Sequence, residues 1–246
     1  VDYDAVILSG GCQWAIQPSL EGRDLSGVWF GLDYMRACNR GETLPNAPKR
    51  VVVVGGGFTA VDCARSALRR GAEEVALVYR RSEDRLRVGP AETRALREEG
   101  VSLHFGFSPA EIEGEERVAR VRCQGVAEQA DGNLVPTDAQ LHLDADEVIL
   151  AIGQTAETLT AANAKKLFIA GDYRNGSGTV VEAVADGRAV ADAVAESLAL
   201  APRSGGLSVQ AIAEDAFVRQ PDWNTPGPIG MPLADLPQRN QETEVE

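Results

Sequence analysis

The sequence predicts an α/β fold, a parallel sheet in a three-layer arrangement with one antiparallel excursion. Three observations predict it. Val51–Val54 is a run of four β-branched residues, as expected of a parallel strand covered on both faces. It leads directly into Gly55-Gly56-Gly57 and an Ala- and Leu-rich stretch from Thr59 to Arg70 that reads as a helix. Gly71 closes that helix and Glu74–Tyr79 (EVALVY) reads as the next strand, so strand, helix and strand fill the roughly 30 residues of a βαβ unit.

The other elements follow in order. Ala5–Leu8 is an apolar run stopped by Ser9-Gly10-Gly11, which suits a buried strand ending in a tight loop. Residues 16–49 are mixed, with a helix expected around Leu32–Asn39 and turns at Gly41 and Pro45–Pro48. Beyond Tyr79, Pro90–Glu99 reads as a helix stopped by Gly100, and Val101–Phe105 as a strand. Short alternating runs between 117 and 145 flank Asp131-Gly132-Asn133, the pattern of an antiparallel hairpin. Glu147–Ile152 returns to a buried strand ended by Gly153. Lys166–Ala170 is another, ended by Gly171-Asp172, and Thr179–Leu200 reads as a long helix. The last segment, 201–246, is rich in proline and reads as a tail or linker.

Composition narrows the function. The 246 residues carry 24 basic and 37 acidic side chains, a net charge of −13, which argues against a phosphate-backbone partner such as DNA or RNA. No apolar run approaches the ~20 residues that span a bilayer, and the N-terminal VDYDAVILSGG has no basic signal region, so a soluble, cytoplasmic protein without membrane insertion is expected. Cys12, Cys38, Cys63 and Cys123 lie far apart with no C-x-x-C spacing, and are read as reduced thiols. His104 and His142 sit in strand-like alternation and are read as packing residues, not metal ligands.

The constellation that carries chemistry is Gly55-x-Gly57-x-x-Ala60, set between a strand and a helix. The first glycine permits the tight turn, and the second lets backbone N–H groups approach a pyrophosphate. The small Ala60 lets the helix pack closely on the strand. The helix N-terminus then presents partial positive charge to the phosphates. These are the requirements of a Rossmann-like dinucleotide site. An NAD-specific site would place an acidic residue at the end of the second strand, to hold the free ribose 2′-hydroxyl. This chain has Tyr79-Arg80-Arg81 there, with Arg85 and Arg87 close behind, and guanidinium groups suit a 2′-phosphate. NADP(H) is therefore the expected coenzyme. The competing reading is a solvated basic turn paired with Glu83 and Asp84.

The segment GGGFTAVDCARSALRRGAEEVALVYRR resembles the NADPH-binding segment of the glutamate synthase small subunit family, which includes the N-terminal region of dihydropyrimidine dehydrogenase and pyridine nucleotide-dependent flavin oxidoreductases. DAVILSGG and FIAGDYRNGSGTVVEAVADGRAVADAV resemble the flanking FAD-domain segments of that family, so the likeness spans about residues 3–200. The resemblance implies four parts: a partial FAD-domain strand and connector at 1–44, an NADPH domain at 45–155, a returning FAD-domain segment at 156–200 and the tail at 201–246. It implies that Gly55, Gly56, Gly57, Phe58, Thr59 and Ala60 line the coenzyme phosphates. Arg80, Arg81 and Arg87 would meet the 2′-phosphate, and Gly153 would belong to the same site. Gly171, Asp172 and Thr179 would face FAD, with Asp172 on the ribityl chain. Phe58 stands where many members have Asn or Asp, and Leu86-Arg87-Val88 replaces Met-Pro-Ala.

The family's reaction is hydride transfer from NADPH to FAD and onward transfer of electrons, so no protein acid, base or nucleophile is expected to be catalytic. Family members open with a glycine-rich turn for the ADP half of FAD, which has no counterpart in the residues from Val1 on. Only 14 residues separate Gly153 from Phe168. The chain is thus expected to bind NADP(H) but to hold FAD weakly or not at all. The tail PLADLPQRNQETEVE resembles a segment leading to a cysteine-rich region, which implies an iron–sulfur protein or domain as electron acceptor or donor. A non-catalytic NADP-binding sensor or assembly module is the second expectation. A short-chain dehydrogenase is disfavoured, because none of Tyr3, Tyr34, Tyr79 and Tyr173 has Lys four positions on.

Overall fold

The computed structural model describes residues 3–42, 48–157 and 166–200. The proline-rich tail at 201–246 and the turn expected from Pro45 lie wholly or largely outside these residues. In chain order the elements are β1 (Val6–Leu8), β2 (Trp14–Ala15), β3 (Val28–Phe30), α1 (Gly31–Asn39), β4 (Arg50–Val54), α2 (Phe58–Arg69) and β5 (Glu74–Tyr79). After a single 3-10 turn at Glu83–Arg85 come α3 (Pro90–Glu98), β6 (Ser102–Phe105), β7 (Phe107–Gly114), β8 (Val118–Glu128) and β9 (Leu134–Asp144). The chain continues through β10 (Glu147–Leu150), β11 (Gln154–Thr155), β12 (Leu167–Ile169), α4 (Asp172–Asn175) and α5 (Val180–Ser197).

The central sheet has five parallel strands in the order β3-β10-β4-β5-β6. Its apolar character follows from being covered twice. Val51 and Val53 of β4 and Leu77 of β5 face one side, where they pack with Ala60, Ala64 and Ala67 of α2, Leu96 of α3 and Tyr34 of α1. Val52, Val54, Val78, Val148 and Leu150 face the other side and meet Ile112, Val121 and Cys123. Those last three belong to a separate antiparallel sheet, β7-β8-β9. Helices, parallel sheet and antiparallel sheet therefore make the three layers that the sequence predicts, and a strand with no polar face results from the period-2 alternation of β residues between two cores.

Residues 28–39, ahead of the boundary expected at 45, join this body. Val28–Phe30 pairs with β10 at the sheet edge and α1 packs on α2. The antiparallel excursion begins earlier than expected, because Phe107–Gly114 is its first strand. Pro109 is accommodated there on an edge strand beside a register shift.

Two small pairings lie outside the central sheet. β1 runs parallel to β12, and β2 runs antiparallel to β11. Helix α5 buries only Val190, whereas Val180, Val181 and Val184 are exposed, as are Ile7, Leu167 and Ile169 of the β1–β12 pair. Among the described residues no helix is long and apolar enough to cross a membrane.

Candidate functional site

The carboxyl ends of β4 and β5 converge on the glycine turn, the place where open parallel sheets bind ligands. Gly55 has a φ of +153°, and a Cβ built on it would lie 2.3 Å from the carbonyl oxygen of Ala151 and 3.0 Å from Cβ of Ala60. Glycine is thus required at 55, and the buried Ala60 is as large as the helix–strand contact admits. Gly56 lies under the ring of Tyr79, whose Cε2 would be 2.3 Å from a Cβ there. Gly57 differs from both, since a Cβ on it would have no heavy atom within 4 Å. Among the described residues no neighbour excludes a side chain at 57.

Gly57 is also the N-cap of α2. No side chain caps this end and its first turn holds no acidic residue. The amide groups of a helix start need acceptors, and an uncapped start with open space before it suits an anion. The contrast with α5 is direct. There Thr179 and Glu182 form a reciprocal capping box, with Glu182 Oε2 accepting from both the amide and the hydroxyl of Thr179 and the Glu182 amide donating to Thr179 Oγ1.

Phe58, the first residue of α2, is 59% exposed and offers an apolar ring at the rim of the turn. Thr59 Oγ1 accepts a hydrogen bond from Gln154 Nε2 at 3.3 Å, which joins the helix start to β11. The carbonyl of Gly153, one residue earlier, accepts from the Ile16 amide at 3.0 Å. Around this junction Trp14, Ile16, Phe30, Gln154 and Thr155 line an open cavity of about 590 Å³.

The arginine loop 80–87 is held over the turn from both ends. Tyr79 donates its phenol hydrogen to the Arg85 carbonyl at 2.9 Å, and the Arg87 amide donates to the Gly56 carbonyl at 2.9 Å. Arg80 and Arg87 are exposed, and among the described residues neither guanidinium has a hydrogen-bond or ion-pair partner. Of the two carboxylates that the competing reading pairs with the loop, Glu83 instead forms a forked pair with Arg97 of α3, both contacts at 2.7 Å, which holds it below the usual carboxylate range, while Asp84 is held low by Ser82 and, less strongly, by Arg85. Arg81 is engaged, donating to Glu128 at 3.0 Å and to the Gly132 carbonyl at 3.4 Å.

The second group of expected residues lies elsewhere, around β12, α4 and α5. The Gly171 amide donates to Asp186 Oδ2 at 2.6 Å, and the Asp172 carbonyl accepts from the Cys12 thiol at 3.2 Å. Asp172 is half-buried, and its carboxylate has no hydrogen-bond or ion-pair partner among the described residues. It can therefore accept a hydroxyl. Thr179, by contrast, is occupied in capping α5. Sequence reasoning did not single out Tyr79, Gln154 or Glu128, which the structure brings to the glycine turn and the arginine loop. Tyr79, directly before the two arginines, carried a local signal, whereas the other two reach the site only through the fold.

Residues 1–187 match the family model described as pyridine nucleotide-disulphide oxidoreductase. The chain is 32% identical over 237 residues to the glutamate synthase [NADPH] small chain of Escherichia coli strain K12, covering 78% of this chain and 50% of that protein. It is 33% identical over 226 residues to the NADP(+)-dependent formate dehydrogenase subunit beta of Moorella thermoacetica, covering 80% of this chain and 32% of that one. Among solved structures, Mycobacterium tuberculosis FprA in complex with NADPH superposes with a TM-score of 0.70 at 19% identity, covering 80% of this chain and 64% of that chain. The thioredoxin reductase of T. acidophilum gives 0.57 at 15% identity, with 78% of this chain and 65% of that chain covered. These two likenesses show the fold. The chain spans about half the length of the glutamate synthase small chains that it matches.

Proposed function

The chain belongs to the pyridine nucleotide-disulphide oxidoreductase family, and from that premise we propose that it is the NADP(H)-binding portion of a flavin-dependent oxidoreductase of the glutamate synthase small-subunit kind. One observation carries the reading. The uncapped start of α2 opens onto free space at Gly57, and the loop that carries Arg80 and Arg87, both without a partner among the described residues, is tied to that turn by the Arg87 amide and the Gly56 carbonyl. The diphosphate then takes the amides at Gly57, Phe58 and Thr59, and the 2′-phosphate takes the arginines. Gly55, Gly56 and Ala60 shape the turn without needing to touch the coenzyme. Phe58 and the junction at Gly153–Gln154 border the coenzyme's path.

FAD, where bound, supplies the hydride acceptor. This chain's contribution to it is the carboxylate of Asp172, which has no partner among the described residues and suits a ribityl hydroxyl. The protein's part in the chemistry is to bind and orient, so no general acid or base is required. The electrons pass onward to, or arrive from, an iron–sulfur protein or domain, a reading supported by relatives that are named as subunits. A cytoplasmic location belongs to the same reading and is supported by Cys12, Cys38, Cys63 and Cys123, all of them unpaired.

Calorimetric titration with NADPH and NADH tests it. Arg80→Ala should weaken NADPH by about 1.5–3 kcal/mol, the worth of a hydrogen bond to a charged group, and leave NADH nearly unchanged. Equal losses for both coenzymes would refute the assignment.

A further inference from the structure

We propose that Glu128, the last residue of β8, is a positioning residue of the 2′-phosphate site, holding Arg81 in the orientation in which its guanidinium meets the phosphate. This rests on the NADP(H) reading of the glycine turn. The observations come from the antiparallel sheet, to which that reading assigns no role. Glu128 Oε1 accepts from Arg81 Nη1 at 3.0 Å and lies 3.6 Å from Arg85 Nη2, so one carboxylate oxygen joins two arginines of the loop. The hairpin turn beside it is itself fixed, because the Gln129 amide donates to the Asn133 carbonyl and Asp131 accepts from both the amide and the side chain of Asn133. From that turn the Gly132 carbonyl accepts a hydrogen bond from Arg81 Nη2. The backbone ties the same two regions together, since the Gly106 amide donates to the Arg81 carbonyl and the Val126 amide donates to the Gly106 carbonyl.

The arrangement has the properties of a support. Glu128 has 18% of its side chain exposed and Arg81 has 33%, so the pair is half-buried and better fixed than a surface ion pair. A guanidinium has five N–H groups, and among the described residues two of Arg81's are used, which leaves donors for a phosphate. Arg81 is a long side chain that would otherwise lose its rotamer freedom when the coenzyme binds, and the carboxylate removes that loss in advance. The negative charge of Glu128 is offset by two guanidinium groups, and Arg80 and Arg87 add two more, so the loop keeps its attraction for a dianion. Orientation therefore outweighs repulsion. By contrast Glu83, which is nearer in sequence, is withdrawn by Arg97 and takes no part.

The test is calorimetry on the full chain with NADPH, NADH and adenosine 2′,5′-bisphosphate, which carries the 2′-phosphate without the nicotinamide. Glu128→Ala should weaken NADPH and the bisphosphate by about three- to tenfold, with NADH within about twofold of the parent. Glu128→Gln, whose amide oxygen can still accept from Arg81, should recover most of the loss. In an Arg81→Ala background Glu128→Ala should add nothing, as expected of a residue acting through Arg81. NADPH binding that is unchanged or tighter in Glu128→Ala, or equal weakening of NADPH and NADH, overturns the proposal. Arg80→Ala serves as the control on the premise. If it discriminates between the coenzymes and Glu128→Ala does not, only the role of Glu128 falls; if Arg80→Ala does not discriminate, the NADP(H) reading falls with it.

Discussion

Replacing Gly57 by alanine separates binding from folding at the glycine turn. The φ of −109° at Gly57 is open to any residue, and the added methyl group would have no heavy atom within 4 Å. The folding cost is then the difference between glycine and alanine at an N-cap, about 1 kcal/mol or less, which for a chain of this size lowers the melting temperature by roughly 2–4 °C. Binding suffers much more. The methyl group projects into the space before the α2 amides, where the diphosphate is proposed to lie, and would displace at least one hydrogen bond to a charged oxygen. Such a bond is worth about 1.5–3 kcal/mol, so the affinity for NADPH should fall by about 10- to 150-fold. NADH should lose as much, because the diphosphate is common to both. Calorimetry beside a thermal melt reads both quantities from one preparation. Unaltered affinity in a protein that melts normally would place the diphosphate away from Gly57.

Gly56→Ala should behave in the opposite way. Its methyl group would overlap the ring of Tyr79, which is anchored through its hydroxyl to Arg85, so a loss of about 1–3 kcal/mol is expected in denaturant melts; an unchanged midpoint would contradict the packing. A pH effect is expected from Glu147, which is 3% exposed, lies 3.9 Å from Arg70 and has one carboxylate oxygen without a hydrogen-bond partner among the described residues. Burial pushes its carboxyl above the ordinary value of 4.5, with Arg70 and Arg117 opposing. The native state therefore binds this proton more tightly than the unfolded chain, and stability falls as pH rises above that value until Glu147 is ionised in both states. Glu147→Gln should flatten that part of the stability profile in urea melts on the alkaline side of the ordinary carboxyl value, and identical slopes in both proteins would contradict it.

Much of the fold was legible because its signals are local. Val51–Val54, the three glycines and the Ala-rich stretch each restrict the backbone without reference to distant residues, and the structure places β4, the turn and α2 within one residue of the expected positions. The same holds for Glu74–Tyr79 and for the hairpin at Asp131-Gly132-Asn133. Strand order was not legible. A strand buried on both faces has the same pattern whichever neighbour it takes, so nothing in Val28–Phe30 announced its place beside β10. Phe107–Gly114 was hidden by Pro109, which an edge strand tolerates.

The candidate site divides along the same line. Gly55 and Ala60 could be read from the chain because a turn geometry demands them, and Arg80 and Arg87 because their charge stands out in an acidic sequence. Which arginine is free and which is held could not be read. That depends on Glu83 choosing Arg97 and on Glu128 reaching Arg81 across 47 positions, and side-chain pairing at such distance leaves no local pattern. Thr179 shows the reverse. Its place at the start of a helix was legible, and the capping box with Glu182 that engages it was written in the sequence three residues further on.

A crystal structure of the chain with NADP+ tests the central claim most directly. The diphosphate should lie over Gly55–Gly57 against the start of α2, with the 2′-phosphate within hydrogen-bond distance of Arg80 and Arg87. A coenzyme seated elsewhere, or one whose 2′-phosphate points to solvent away from the arginine loop, would contradict it.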